Sequence, residues 1–275
     1  MTPHTPPSAS PRALVASLVA NRGLIATLVK REVVGRYRGS MLGILWSLFN
    51  PILMLAVYTF VFSFVFKSRW IGGTGSKTEF ALVLFAGLLV FNLFAECVNR
   101  SPALVLGNVN YVKKVVFPLE ILPVVTLGSA MFHMLVSLGV WVIFYVVTMG
   151  LPQPTLLLLP LVIFPFALLT LGLCWFLASL GVFLRDVTQI VGVLTTVLMF
   201  MSPIFYQVDA LPPAIRPAML ASPLTLTVEQ IRDVMIWGRP LDPGAWAAFT
   251  LIAALVAWLG FSFFQKTRKG FADVI

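Results

Sequence analysis

Residues 41–66 read MLGILWSLFNPILMLAVYTFVFSFVF and hold no charged side chain. An α-helix needs about 20 predominantly apolar residues to cross the hydrocarbon core of a bilayer. The pattern recurs along the chain. Residues 80–99 carry one charged side chain, Glu96, and 121–149 carry only His133; 151–184, 187–208 and 243–264 carry none. Pro152, Pro154, Pro160 and Pro165 predict an irregular first half for 151–184. Backbone N–H and C=O groups in lipid must be satisfied internally, so only helices and closed barrels can span. Long unbroken apolar runs, without strict alternation, select helices. The expected fold is an all-α integral membrane protein with six transmembrane helices and both termini on one side.

Composition supports the same class. Of 275 residues, 59% are hydrophobic and 11% charged, against about 25% charged in an ordinary soluble domain. That excludes a soluble globular enzyme and a disordered chain. The net charge of +9 would suggest nucleic acid on a soluble chain. With a mean hydropathy of +0.98 it points instead to the anionic face of a membrane, with no nucleic-acid partner. Cys97 and Cys174 both sit in apolar stretches and read as small hydrophobes, with no disulfide framework and no metal-ligand spacing.

Three regions are expected: a disordered Pro/Ser-rich N-terminus over 1–11, a cytoplasmic interfacial helix over 12–38, and a transmembrane domain over 39–275. Leu14, Leu18, Ile25 and Leu28 recur at helical spacing, with Arg12, Ser17, Arg22, Lys30 and Arg31 on the remaining surface. Asn21 and Arg22 interrupt the apolar stretch, unlike the core of a signal peptide. This pattern fits an amphipathic helix lying in the interface plane; a helix packed on another subunit is the alternative. One side of the membrane receives Arg12, Arg22, Lys30, Arg31, Arg36, Arg38, Arg100, Lys113, Lys114, Arg185, Lys266, Arg268 and Lys269. The other receives Lys67, Arg69, Lys77, Arg216, Arg232 and Arg239. The richer side is cytoplasmic by the positive-inside rule, so both termini are expected there. The outer loops are then a Gly-rich hairpin over 67–79, a turn near Gly150, and a long segment over 207–242. Leu224, Val228, Ile231 and Met235 have helical period within that last segment. Re-entrant half-helices before the last span are therefore expected, because irregular backbone at membrane depth must be sheltered.

No nucleotide site is apparent. GGTGSKT over 72–78 lacks the Gly directly before Lys that a phosphate loop requires, and it falls in an outer turn. His133 fits a packed, hydrogen-bonded histidine. The distinctive stretches lie on the positive side. KREVVGRYRGSMLGILW over 30–46 leads into the first span, and NYVKKVVFPLEILP occupies 110–123. Arg185-Asp186-Val187, Pro203-Ile204-Phe205-Tyr206 and SPLTLTVE over 222–229 follow in order. Together these resemble the ABC-2 family of transporter membrane subunits, and most closely the subgroup that exports O-antigen, capsular polysaccharide and teichoic acid. The resemblance runs from about residue 28 to the C-terminus.

The resemblance implies a permease that is not itself an enzyme. Such a subunit forms a homodimer, pairs with two copies of a separate ATPase that binds ATP and Mg, and carries no cofactor of its own. It would move a lipid-linked polysaccharide across the bacterial cytoplasmic (inner) membrane. A drug or haem exporter of the same family is the nearest alternative. An integral-membrane enzyme on lipid-linked sugars would need carboxylates at a membrane face, where only Glu96, Asp186 and Asp209 come close. An ion-coupled carrier is disfavoured by the scarcity of charge within the spans. Coupling to the ATPase is expected at Tyr111, Lys113, Lys114, Phe117, Glu120, Arg185 and Asp186, although the lysines could merely set topology. Arg31, Arg36, Tyr37, Arg38 and Trp46 are candidates for a cytoplasmic gate at headgroup depth, with the arginines placed to meet a pyrophosphate or simply obeying the charge rule. Tyr58, Phe62, Phe91, Asn92, Glu96, Tyr206 and Gln207 are candidates for the path; Glu96 also has Arg100 at i+4 for a local pair. Gly39 and Gly43 could allow close helix approach, between chains or within one.

Overall fold

The computed structural model describes residues 9–65, 70, 76–112 and 117–274. Lys113 and Lys114, residues 1–8 of the N-terminal stretch, and residues 71–75 of the outer hairpin lie outside the described residues. Two helices open the chain, α1 (Pro11–Ala20) and α2 (Arg22–Arg36), bent by 68° at Asn21. The first spanning helix is α3 (Trp46–Tyr58), entered through a tight turn at Gly43–Leu45 and prolonged by a widened turn over Thr59–Val65. α4 (Lys77–Arg100) follows, then short helical turns and α5 (Val109–Val112). α6 (Leu122–Met149), α7 (Leu159–Phe183) and α8 (Val187–Met201) come next. The short α9 (Arg216–Leu220) and α10 (Pro223–Arg232) precede α11 (Pro243–Thr267) and α12 (Phe271–Val274). All regular elements among the described residues are helical.

Five helices are long and apolar enough to cross a bilayer, and the bent α1–α2 pair could supply a sixth by length and composition. The expected span over 187–208 is a helix of only 15 residues, Val187–Met201. At 1.5 Å per residue it reaches about 22 Å, short of a hydrocarbon core of about 30 Å. The chain then turns irregularly through Ser202–Tyr206, and the outer segment re-enters the fold as α9 and α10. The second of these runs on through a widened turn over Asp233–Trp237, and Gly238 ends it with φ 66°. Its apolar face, Leu224, Val228 and Ile231, is buried, against α4 and α7. The irregular backbone of residues 202–204 and the α10 segment are thus covered by protein, while residues 209–221, with α9, are largely exposed. The prolines of 151–184 disturb the fold less than expected. Pro160 occupies the first turn of α7, where its missing N–H costs nothing, and the helix continues through a buried Pro165.

α4 is the central helix. In its most apolar stretch 83% of the residues are buried, against 11% in the first span. α6, α7, α8 and α10 all pack on it. Indole N–H groups tie the bundle across elements. Trp141 donates to the Leu82 carbonyl at 3.0 Å, and Trp175 to the Glu120 carbonyl at 2.9 Å. The outer faces are apolar and exposed: Leu48, Ile52 and Leu53 on α3, Ile190, Val193 and Val197 on α8, Leu251, Leu255 and Leu259 on α11. An aqueous protein would bury such faces; in a bilayer they meet lipid tails or another chain.

The close helix approach is made by other glycines than those expected. Gly39 and Gly43 have φ of 86° and 52°, and among the described residues nothing beyond their own chain neighbours comes within 4 Å of where their Cβ atoms would lie. They serve the turn between α2 and α3, a left-handed backbone that side chains resist. The tight crossing is between α7 and α11. A Cβ on Gly260 would lie 2.0 Å from the Gly172 carbonyl oxygen, and one on Gly172 would meet the Val256 carbonyl oxygen at 2.6 Å. Backbone cannot yield as a side-chain tip can, so Gly260→Leu is expected to cost about 3 kcal/mol or more by forced separation of the two helices. The check is the unfolding midpoint of the purified protein in mild detergent, with a large drop or failure to accumulate expected.

Candidate functional site

The polar residues of the spans converge on one place. α4 is buried on almost every side, but Asn92, Ala95, Glu96, Asn99 and Arg100 break the burial at helical spacing. This stripe faces a cavity of about 540 Å3 between α3, α4 and α6. α3 turns Ser47, Asn50, Pro51, Met54 and Tyr58 toward it, and α6 contributes Ala130, His133, Met134 and Ser137. Each helix thereby presents one face of i, i+3, i+4, i+7 positions. Arg36 and Tyr37, at the end of α2, form the floor.

That floor is a lattice of alternating charge. Glu32 and Arg36 are one turn apart on α2, and Glu96 and Arg100 one turn apart on α4. Arg100 pairs with Glu32, Glu96 pairs with Arg36, and Arg100 also reaches Glu96 at 3.5 Å. His133 Nδ1 lies 3.0 Å from Glu96 Oε2, and its Nε2 lies 3.2 Å from the Tyr37 hydroxyl. Arg36 Nη1 also lies 3.1 Å from His133 Nδ1, so the imidazole sits between Glu96, Arg36 and the Tyr37 hydroxyl. Burial raises the Tyr37 phenol above its ordinary value against the opposing pull of Arg36. Glu96 therefore does more than pair locally with Arg100. It gathers Arg36, 60 residues away, and His133, 37 residues away.

The candidate gate and coupling residues fall on both sides of this floor. Arg31 donates to the Tyr111 hydroxyl at 2.8 Å. Among the described residues, the exposed Arg38 guanidinium has no partner. Trp46 is exposed at the start of α3. The Tyr111 and Phe117 rings stack at 4.1 Å with an 8° interplanar angle, and Phe117 is half-buried against the core of the chain. It is therefore an internal support more than a protruding anchor. Glu120 is buried and accepts from Ser17 at 2.7 Å and Arg268 at 2.7 Å; Arg268 also donates to the Phe117 carbonyl at 2.8 Å. It ties α1, the 101–121 loop and the C-terminal turn together. Arg185 and Asp186 stand exposed at the turn between α7 and α8.

Of the path candidates, the structure brings Tyr58, Asn92 and Glu96 into the cavity. Phe91 is buried in the core. Phe62 stacks with Phe80 at 5.5 Å and Phe205 at 5.9 Å at the far end of the bundle. Tyr206 donates to the Met201 carbonyl at 2.7 Å, closing the end of α8, with Gln207 next to it.

A second polar node at that far end was not foreseen. Arg232, assigned to an outer loop by charge counting, is fully buried. Its guanidinium donates to the carbonyls of Val83 at 3.3 Å, Pro203 at 2.6 Å and Ile204 at 2.8 Å, and pairs with Glu229 at 2.9 Å. It also lies 4.5 Å over the Trp70 ring. The carbonyls freed by the irregular turn after α8 thus find donors, and α10 is clamped to α4. Gly87 leaves the space: a Cβ there would lie 3.1 Å from Arg232 Nη2. The available signal was position 232 itself, one turn after Val228 on the buried side of α10.

Residues 23–236 match the ABC-2 type transporter family. The chain is similar to an O-antigen export system permease protein, RfbA, of Myxococcus xanthus, with 28% identity over 264 residues covering 95% of this chain and 99% of that protein. A protein of the same description from Klebsiella pneumoniae is 25% identical over 253 residues, covering 92% of this chain and 95% of its own. A further Klebsiella pneumoniae relative, again so described, is 23% identical over the same shares.

If the charge lattice ties α2 to α4, its members must be energetically coupled. Arg36→Met and Glu96→Gln are each expected to lower the unfolding midpoint in detergent. The double variant should fall short of the summed losses by about 1 kcal/mol. Strictly additive losses would mean that the pair contributes nothing as a pair.

Proposed function

The chain belongs to the ABC-2 type transporter family, and we propose that it is the membrane-spanning half of an ATP-driven exporter of a lipid-linked polysaccharide. It is a multi-pass membrane permease. In this reading two copies join two copies of a separate ATPase that binds ATP and Mg, in the bacterial cytoplasmic membrane with both termini inside. The observation that carries the reading is the polar cavity floored by α2 and walled by three apolar helices, in a chain whose near-full-length relatives are named as O-antigen export permeases. An amide-lined void beside a lipid-facing surface suits a substrate with a polyhydroxyl head and an apolar tail.

The geometry supports a route from the ATPase to the floor of the cavity. The 101–120 loop, with Arg185 and Asp186 beside it in the proposed topology, meets the ATPase. Tyr111 in that loop holds Arg31, and Arg100, where the loop leaves α4, holds Glu32. A displaced loop would pull on α2 through both contacts and draw Arg36 away from Glu96. The unpartnered Arg38 is the guanidinium best placed to meet the carrier lipid's pyrophosphate, since Arg31 and Arg36 are already held.

Two outcomes test this. A soluble ATPase carrying a GxxxxGK(S/T) phosphate loop is expected to copurify with this chain. Tyr111→Phe, which keeps the ring stack and removes only the acceptor for Arg31, is expected to slow export about fivefold, as for one lost hydrogen bond of about 1 kcal/mol, while the complex still assembles and hydrolyses ATP. Export at the normal rate in that variant would break the proposed route.

A further inference from the structure

Three features of the cavity, taken together, specify a ligand. The first is the set of unsatisfied neutral groups. Asn50, Asn92 and Ser137 line it, and their side chains form no hydrogen bond with any described residue. The Asn99 carboxamide meets a single polar partner, the Thr195 hydroxyl at 3.0 Å, which also donates to the Val191 carbonyl at 2.7 Å, so most of its hydrogen-bonding capacity is unused. The second is Pro51, inside α3 and also on the cavity wall. Proline has no N–H, so the Ser47 carbonyl one turn earlier loses its α-helical partner, and both residues line the cavity. Polar groups at this depth are costly to leave bare toward lipid, and those here face a void. The third is charge. Of the charged lining residues, Arg36 is paired with Glu96, and Arg100 is paired with Glu32, which lies just outside the lining, so each guanidinium is already engaged by a carboxylate and neither stands free for an anion. Carboxamides offer two donors and two acceptor lone pairs without charge, and Tyr58 adds a ring with a hydroxyl tip.

We propose that this cavity within a single chain is a saccharide subsite. Asn50, Asn92 and Asn99 would bind the hydroxyls of the sugar nearest the lipid anchor, and Tyr58 would support the ring. Its volume of about 540 Å3 lies within the range of about 300–1,000 Å3 for small-molecule pockets. It fits a short saccharide end rather than a polymer in transit, so the subsite selects substrate and is not the conduit. The phosphate of the anchor is left to groups outside the cavity. The inference rests on the exporter reading for the nature of its ligand, and it adds the site at which the sugar is recognised.

The test uses the full chain in phospholipid nanodiscs and three probes: hexyl glucoside, hexyl phosphate and hexanol. Saturation-transfer NMR reads which probe protons contact the protein. Hexyl glucoside is expected to bind through its ring protons, and hexyl phosphate and hexanol are not expected to compete for that site. Asn50→Leu with Asn92→Leu should weaken glucoside binding at least tenfold. If that double variant accumulates poorly, Asn92→Ser alone, which keeps a small polar side chain in place, should weaken binding severalfold with an unchanged unfolding midpoint. Glucoside binding untouched by these changes would place the sugar elsewhere. Competition by hexyl phosphate would make the cavity an anion site, and the absence of glucoside binding would make it a water-filled cleft. Each result overturns the subsite. Export of glycolipid by a chain that fails to bind glucoside would overturn the subsite alone and leave the exporter reading standing.

Discussion

Four charges that join two helices, both packed on α6, set the terms for the rest of this molecule. Glu32 and Arg36 on α2 alternate with Arg100 and Glu96 on α4, so each charge has an opposite neighbour on its own helix or on the other. A lone carboxylate within a span costs roughly 2.5–3.5 kcal/mol on insertion scales at the membrane centre. With Arg36, Arg100 and His133 around it, Glu96 is tolerated on the helix around which the bundle packs. The consequence is mechanical. α2, which packs on α6, has to keep that place for as long as Arg36 shields Glu96 from lipid, while α1 departs at 68°. A device that separated α2 from α4 would expose charge, and it would be opposed unless water or a polar substrate entered at that moment.

The opposite end of α4 is held by different chemistry. Arg232 satisfies carbonyls of Pro203 and Ile204 in the irregular turn beyond α8, and a carbonyl of α4 itself. α8 is too short to cross alone, so the chain needs this turn to be sheltered by protein and supplied with donors. A buried guanidinium does both, and its flat face covers Trp70. The cavity thus lies between a charge lattice at one end and a buried cation at the other. Both locks depend on α4, and neither closes on lipid-facing surface. Such an arrangement suits a permease whose two ends open at different stages.

Much of the fold was legible because apolar run length is a local property. The runs beginning at 41, 80, 121 and 243 became long helices, and the periodicity at 224, 228, 231 and 235 became a packed short helix. The fifth run over 187–208 misled about length, because Ser202, Pro203 and Tyr206 end α8 early while remaining hydrophobic enough on average to extend the window. The site was legible only where its partners are close in sequence. Glu96 and Arg100 are four residues apart, and the pair could be named. Arg36 and His133 lie far along the chain, and nothing local says which carboxylate they will meet. The burial of Arg232 was not legible for the same reason: charge counting assigns a side of the membrane, not a depth within the protein. Gly172 and Gly260 escaped notice because a close crossing is a relation between two helices, whereas Gly39 and Gly43 had the spacing without the neighbour. The Asn92–Glu96–Asn99 stripe was half seen, since its helical period was present but the void it faces arises from the placement of α3 and α6.

The most direct test places this chain and its ATPase in sealed proteoliposomes loaded on one leaflet with a radiolabelled lipid-linked glycan. Appearance of the glycan on the opposite face is then followed with time. Movement that requires both chains and hydrolysable ATP is the expected result. Movement without the ATPase, or none at all with an assembled and ATP-hydrolysing complex, would contradict the assignment of this chain as the path for a lipid-linked polysaccharide.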